Sequence, residues 1–207
     1  MRQSGMGATR VLVDAAESAM TSLDNRSLLA AAANGDQRSW EVLVDRYTNL
    51  VWAVARSFRL GPTDAADVSQ ATWLRLVEHL TEIREPEQLG SWLVTTARRE
   101  ALAILRRAAR AGTPTGEPWL LERPDPDAES PDDRAVRADD AATVRRAFLR
   151  LPVNCQRLLH VLLVEPAPTY AEVGAALGMP VGSIGPTRAR CLSSLRRILT
   201  AQGAHDG

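Results

Sequence analysis

The 207-residue sequence has few of the residues that build metal sites, disulfide frameworks or membrane spans. It contains two cysteines, Cys155 and Cys191, and three histidines, with no metal-ligand spacing among them. No run approaches the roughly 18 apolar residues that a membrane-spanning helix needs. Residues 1–23 lack the continuous apolar core of a secretory signal. We therefore expect a cytoplasmic protein with no disulfide framework, no cofactor, no metal and no membrane partner.

Lysine and the usual signatures of catalysis are also missing. All 25 basic residues are arginine, which suits a GC-rich genome as well as any function. The histidines His79, His160 and His205 are scattered, without a nucleophile or a paired acid beside them. No glycine-rich phosphate loop is present. These absences argue against an enzyme.

The formal net charge is zero, but the charges are segregated along the chain. Residues 24–110 carry 12 arginines and 11 acids, and residues 111–140 carry 3 arginines and 9 acids. Residues 141–207 carry 8 arginines and only 3 acids. The basic final block indicates a phosphate-bearing partner, which the acidic stretch before it would repel.

The composition divides the chain into two helical blocks. Residues 111–137 are rich in proline, glycine and acid, which predicts a flexible linker that cannot bury a core. Residues 24–110 and 138–200 show helical periodicity, with no strand alternation. Residues 1–23 and 201–207 remain as an N-terminal extension and a tail. The predicted fold is therefore all-α, with two small domains.

The first block reads as four helices. Asp24 and Asp36 are predicted N-caps, and Gly61-Pro62 separates the second helix from a third that starts at Thr63. The third helix has a predicted apolar stripe of Val68, Ala71, Leu74, Val77 and Leu80.

The fourth helix, about 87–110, has two contrasting faces on a helical wheel. Its predicted core face comprises Leu93, Ala97, Ala101, Ile104 and Ala108. On the opposite face a tryptophan lies among arginines. Such a face suits single-stranded nucleic acid, because bases stack on rings while guanidinium groups hold phosphates. A solvated arginine face with a half-exposed tryptophan is the alternative. The opposite face comprises Trp92, Thr95, Arg99, Arg106 and Arg110.

The second block carries the pattern of a helix-turn-helix. A helix at 139–150 precedes Pro152, which is suited to the first position of the next helix. Thr169 and Glu172 fit a capping box, and the short helix that they open ends at Gly178. A further helix follows in this basic block. Helix, glycine turn and helix are typical of major-groove DNA binding.

The final helix offers small hydroxyls and arginines on one side and apolar residues on the other. Pro186 kinks this helix if Pro180 is the cap, and costs little if Ser183 is the cap. We prefer Ser183. Cys191 then faces the core, where a small buried hydrophobe is the expected role rather than a redox group. The outward set is Ser183, Thr187, Arg190, Ser194 and Arg197.

Three stretches resemble motifs of the extracytoplasmic-function (ECF) group of bacterial sigma factors. Residues 67–76 resemble the family's acid-x-x-Gln-x-x-aromatic-Leu-Arg helix, which in relatives binds the clamp helices of the largest subunit of RNA polymerase. Residues 92–99 resemble the Trp-Leu-x-Thr-x-Ala-Arg-Asn segment that recognises and melts the minus-ten element. Residues 151–184 resemble the domain that reads the minus-thirty-five element.

The resemblance implies a sigma factor that binds core polymerase and promoter DNA, both duplex and melted. The polymerase-binding residues it implies are Asp64, Asp67, Gln70 and Arg75, although Asp64 suits the start of its own helix equally well. The implied minus-ten residues are Trp92, Thr95, Arg98, Arg99, Arg106 and Arg107. The implied minus-thirty-five residues are Ser183, Thr187, Arg188, Arg190 and Arg197.

The sequence departs from the family at three places. Arg99 stands where asparagine is usual, Ala103 where aspartate is common, and Gly185-Pro186 replaces a basic-Ser pair. Two alternatives stay open. A helix-turn-helix regulator that binds duplex DNA alone would have a similar second domain, and the three departures also fit an inactive sigma-like interaction protein. Free in solution the two domains are also able to pack together and hide their DNA surfaces, as an anti-sigma partner enforces in many relatives.

Overall fold

The computed structural model describes residues 23–112 and 141–203, with side chains as far as Ala201. Nearly all of the predicted N-terminal extension and linker, and residues 204–207 of the tail, lie outside these ranges. Within them the chain forms eight α-helices and one 3₁₀ turn, with no strand. The predicted all-α class is confirmed.

The eight helices are joined by short connections on either side of the linker. The first block contains α1 (Asn25–Ala33), α2 (Gln37–Ser57), α3 (Pro62–His79), the 3₁₀ turn Pro86–Gln88 and α4 (Leu89–Ala111). The second contains α5 (141–149), α6 (Val153–Leu162), α7 (Tyr170–Leu177) and α8 (Val181–Gly203).

The first two helices each begin after an aspartate whose side chain caps the helix. The Asp24 carboxylate accepts the Ser27 N–H at 2.7 Å, and the Asp36 carboxylate accepts the Ser39 N–H at 2.9 Å. These bonds satisfy amides that have no partner inside their helix. The third helix begins at Pro62 rather than Thr63, because proline at the first position already has a helical φ and needs no N–H there.

The apolar stripe predicted for α3 is wrong at two positions. Leu74 and Val77 are 58% and 50% exposed, whereas the buried residues of α3 are Ala65, Val68, Thr72 and Leu76. A spacing of three residues rotates around an α-helix, while alternating steps of three and four keep one face towards the core. The exposed apolar pair therefore lies on the outer side of α3.

The start and the end of α7 have the predicted geometry. The Thr169 hydroxyl accepts the Glu172 N–H, and the Glu172 carboxylate accepts the Thr169 N–H at 2.7 Å, which completes the capping box. Gly178 ends α7 at φ 68°, a conformation that glycine adopts without strain. Pro152, in contrast, is the N-cap of α6 rather than its first residue.

The preferred start of α8 is wrong. The helix begins at Val181, and the Ser183 hydroxyl donates backwards to the Pro180 carbonyl at 2.7 Å instead of capping a later turn. Pro186 consequently lies inside the helix. It has no N–H to donate to the carbonyl of Gly182, so the helix loses one hydrogen bond there.

The expectation for the cysteines is also wrong. Cys155, in the first turn of α6, forms a disulfide with Cys191 in α8, and their Cα atoms are 5.4 Å apart. Cys191 is fully buried, as expected, but as half of a covalent pair. A separation of 36 residues gave no local signal, because only the packing of α6 on α8 brings the two side chains together.

The two blocks pack against each other and share one buried cluster. Helix α4 lies along α7, and α2 contacts α6. The Asn49 side chain of α2 donates to the carbonyl of Glu165 at 3.0 Å. The Arg157 guanidinium of α6 lies 4.3 Å from the centre of the Phe58 ring, a cation–π contact between the blocks. The chain is therefore seen in a closed arrangement.

Candidate nucleic-acid interface

One face of α4 presents a row of exposed guanidinium groups. Arg99, Arg106, Arg107 and Arg110 are all exposed, and the Arg110 Nε donates to the Arg106 carbonyl at 3.2 Å. Buried residues Leu93, Ala97 and Ala101 hold the opposite side of the helix in the core. Such a face is able to contact successive phosphates of one strand.

Trp92 and Thr95 lie at the edge of this row and are half-buried. The Trp92 ring meets the His79 ring edge to face, with centroids 6.3 Å apart. The Thr95 hydroxyl donates to the Ser91 carbonyl at 2.7 Å. The Trp92 side chain is thus packed against His79 on one side and partly exposed on the other.

Arg98 is separated from the other predicted minus-ten residues. Its guanidinium lies against Gly178 at the end of α7, where a Cβ on that glycine would be 2.7 Å from Arg98 Nη2. Among the described residues, Arg98 Nε has no hydrogen-bond partner although it is buried. In the closed arrangement the half-buried Arg98 side chain contacts the second block.

The outer side of α3 combines acidic, amide and apolar groups. Asp67, Gln70 and Arg75 are exposed, while Asp64 is half-buried in the first turn. The Arg75 guanidinium forms an ion pair of 3.1 Å with Glu78 on the same helix. Leu74 and Val77 were predicted to face the core, but both are exposed. The four-residue spacing of the buried Val68, Thr72 and Leu76 is the signal that would have placed them on the surface.

Helix α8 presents the basic face expected of a reading helix. Its residues include no acid, and Arg188, Arg190 and Arg197 are exposed, with Ser183 and Thr187 half-buried. The Arg190 guanidinium donates to the Thr187 hydroxyl at 3.1 Å. The Arg197 guanidinium likewise donates to the Ser194 hydroxyl at 3.1 Å, so two of the three arginines are held along the helix. Exposed arginines of this kind suit phosphates or base edges.

Positive groups accumulate where the blocks meet. Burial, with a smaller contribution from Arg98, lowers the pKa of Arg157 below its ordinary value. Burial also lowers the pKa of His160 to about 4, and the Arg56 guanidinium adds to this shift. A desolvated cation is disfavoured, so the imidazole is neutral at pH 7.

Metal-binding clusters and membrane-spanning helices are both absent from the ranges that the structure covers. Within them, no three His, Cys, Asp or Glu side chains are grouped so that they would hold a metal ion. None of the described helices combines the length and apolar character that a bilayer span requires.

The described residues form only helices, with a helix-turn-helix and two arginine-bearing helical faces, an arrangement typical of DNA-binding proteins. Residues 43–111 match the family model for Sigma-70 region 2. The chain is 30% identical over 181 residues to the ECF RNA polymerase sigma factor ShbA of Streptomyces griseus, which covers 83% of this chain and 93% of that protein. It is 29% identical over 176 residues to the ECF RNA polymerase sigma factor SigM of Mycobacterium tuberculosis, covering 84% of each.

Two solved structures share the fold. CnrH, in complex with the cytosolic domain of CnrY, superposes with a TM-score of 0.55 at 22% identity, covering 86% of this chain and 97% of CnrH. RpoE of Bartonella quintana, in complex with the anti-sigma factor NepR, gives 0.56 at 17% identity, covering 79% and 98%. The chain belongs to the ECF RNA polymerase sigma factors, and it directs transcription initiation.

Proposed function

We propose that three exposed helical faces divide the work of this sigma factor, which acts in the cytoplasm without catalysing a reaction itself. The outer side of α3 binds core RNA polymerase at the clamp helices of its largest subunit. The arginine row of α4 engages the melted minus-ten strand, and α8 enters the major groove of the minus-thirty-five element. The observation that carries this proposal is that three separate helices each present exposed charged side chains: Asp67 on α3, Arg106 on α4 and Arg190 on α8.

The polymerase-binding face is supported by its mixed composition. Asp67 and Gln70 lie one turn apart, and Leu74 adds an apolar surface that is 58% exposed. An exposed apolar patch with a polar rim is typical of a protein–protein interface. The acidic group suits a basic surface on the polymerase, because complementary charges fix the register of docking.

The DNA-binding faces are supported by charge and by order in the chain. Helix α4 offers guanidinium groups next to a partly open tryptophan ring, which suits unpaired bases. Helix α8 offers hydroxyls and arginines on a helix-turn-helix, which suits duplex DNA. The two faces belong to blocks joined by the segment 113–140, so each bound element raises the local concentration of the other block at its own element.

An anti-sigma factor is a further proposed partner. The contact of Arg98 with Gly178 buries part of the proposed minus-ten surface against α7. A protein that stabilises this closed arrangement would hold the sigma factor inactive, because a ligand shifts an equilibrium towards the state that it binds better.

Charge reversal on α3 tests the proposal. We expect Asp67→Arg to weaken binding of the full chain to core polymerase by about tenfold or more, because like charges meet at the interface. Glu41→Arg is the matched control, since Glu41 is an exposed acid on α2. Unchanged binding of the Asp67→Arg protein, measured by fluorescence anisotropy against core enzyme, would overturn the assignment of α3.

A further inference from the structure

The second block contains a covalent link that none of the three proposed faces uses. The Cys155–Cys191 disulfide joins the first turn of α6 to the middle of α8. Cys155 is partly exposed, whereas Cys191 is fully buried. We propose that this pair is a reversible redox site, oxidised by low-molecular-weight disulfides, that sets how firmly the reading helix α8 is held.

The two cysteines have different roles in the exchange. Cys155 is the third residue of α6, where the positive end of the helix favours a thiolate. Its thiolate attacks a small disulfide, forms a mixed disulfide and releases one small thiol. Cys191 then gives up its proton, displaces the second small thiol and closes the internal bond. Two electrons pass from the cysteine pair to the small disulfide, which becomes two thiols.

The bond matters because α8 is a weak helix at its start. Pro186 removes one backbone hydrogen bond, and Gly182 and Gly185 lower the helix propensity of the same stretch. Ile184 and Cys191 are the fully buried residues of α8. The disulfide at Cys191 therefore helps to hold α8 in place, because the low helix propensity at its start contributes little stability.

The bond also connects α8 to the part of the second block that faces the first. Helix α6 carries Arg157, which stacks on Phe58, and the loop closed by the bond includes the whole of α7. Closing a loop restricts the unfolded chain, and a loop of 36 residues is long enough for a substantial effect. Reduction frees α8 to move relative to α6 and α7.

The consequence for DNA rests on the proposed function of α8. Oxidation fixes the angle at which α8 leaves the glycine turn, so the oxidised protein reads the minus-thirty-five element better than the reduced protein. Reduction leaves the proposed minus-ten and polymerase faces in place, because the disulfide lies wholly in the second block.

Glutathione mixtures of defined ratio test the redox pair on the full chain. In the oxidising mixture we expect an intact mass two hydrogens lighter and no cysteine that reacts with iodoacetamide. In the reducing mixture we expect both cysteines to react, and the thermal midpoint to fall by about 10 °C. The double variant Cys155→Ala, Cys191→Ala is the control, and its midpoint should not respond to glutathione.

The outcomes separate this inference from the function on which part of it rests. The redox site would be overturned if the cysteines stay reactive in the oxidising mixture. It would also be overturned if reduction of the bond changes neither the thermal midpoint nor the binding of the protein to duplex DNA of the minus-thirty-five element. If the double variant does not fold, cycles of reduction and reoxidation of the natural chain give the same comparison. A redox-dependent midpoint without duplex binding in either state supports the redox pair and counts against the proposed role of α8.

Discussion

At the residue scale, His160 is the side chain whose surroundings most affect its chemistry. It lies on α6 where the two blocks meet, and its pKa of about 4 is lower than the ordinary value of 6.5. The unfolded chain therefore binds a proton between these values that the folded chain does not. The stability that the neutral His160 contributes is fully present above pH 6.5 and is lost as the pH falls towards 4.

The predicted loss from His160 is about 2–3 kcal/mol between pH 7 and pH 4.5. The variant His160→Gln keeps a polar side chain that does not titrate, so its free energy of unfolding should be flatter over this range. Denaturant titrations at several pH values measure the difference. Parallel curves for the two proteins would contradict the neutral, buried imidazole.

The acids at the helix starts titrate in a lower range. Hydrogen bonds from Ser27 lower the pKa of Asp24, and hydrogen bonds from Ser39 lower the pKa of Asp36, from an ordinary value of 3.8. Their contribution is present above that value and is lost as the pH falls below it. A loss between pH 6.5 and 4.5 is therefore assigned to the histidine.

At the element scale, α4 provides the most direct test of nucleic-acid contact. Arg106 and Arg107 are exposed and have no assigned structural role. Replacing both with alanine should lower the salt dependence of single-strand binding by roughly 1.4 in the log–log slope, because each phosphate contact contributes about 0.7. Fluorescence anisotropy on the complex with core polymerase measures this slope.

The matched control for α4 is a pair of adjacent arginines on another helix. Arg145 and Arg146 are exposed on α5, and Arg146 donates to Thr143 at 2.9 Å. Their double alanine variant removes the same charge away from the proposed strand. An equal loss of slope in both variants would show that net charge, and not the α4 face, governs binding.

The elements also show which features sequence alone predicts. The caps at Asp24 and Asp36 and the Thr169–Glu172 box were predicted because each bond joins residues three apart. The start of α8 was not, because Pro186 is tolerated inside the helix once the surrounding core holds Ile184 in place. Bonds between residues close in sequence can be predicted from one sequence. The effect of tertiary packing on where a helix begins cannot.

The site residues divide in the same way. The exposed arginines of α4 and α8 were predicted because helical periodicity separates polar from apolar faces. The contact of Arg98 with Gly178 and the disulfide both require residues far apart in sequence to meet. Neither has a local signature, so only the three-dimensional packing reveals them.

At the scale of the whole molecule, two charged groups hold α4 and α7 side by side. The Glu172 carboxylate lies over Gly90 near the start of α4, and the Arg98 guanidinium lies at the end of α7. An anion at a helix N-terminus and a cation at a C-terminus both complement the helix dipole. These two contacts favour the closed arrangement. Burial, and then repulsion from Arg98, lower the pKa of Arg157, so the repulsion between these two cations opposes the closed arrangement.

Gly90 is the residue that permits this approach. A Cβ there would overlap Glu172 Oε1 and come within 3.0 Å of Tyr47 Cε1. We expect Gly90→Ala to displace the flexible Glu172 carboxylate and to weaken the contact by about 1 kcal/mol, the lower end of the cost of overpacking, and to increase the radius of gyration measured by small-angle X-ray scattering. Gly182→Ala is the control, because nothing lies within 4 Å of a Cβ at that helical glycine. An unchanged radius for Gly90→Ala would contradict the close contact.

The function that defines this chain is to give RNA polymerase its promoter specificity. Run-off transcription from genomic fragments, with core polymerase in the presence and absence of the full chain, tests it most directly. We predict discrete transcripts that appear only with the protein, and whose aligned start sites share two upstream elements. Absence of both core binding and new transcripts would contradict the account and favour a regulator that binds duplex DNA alone.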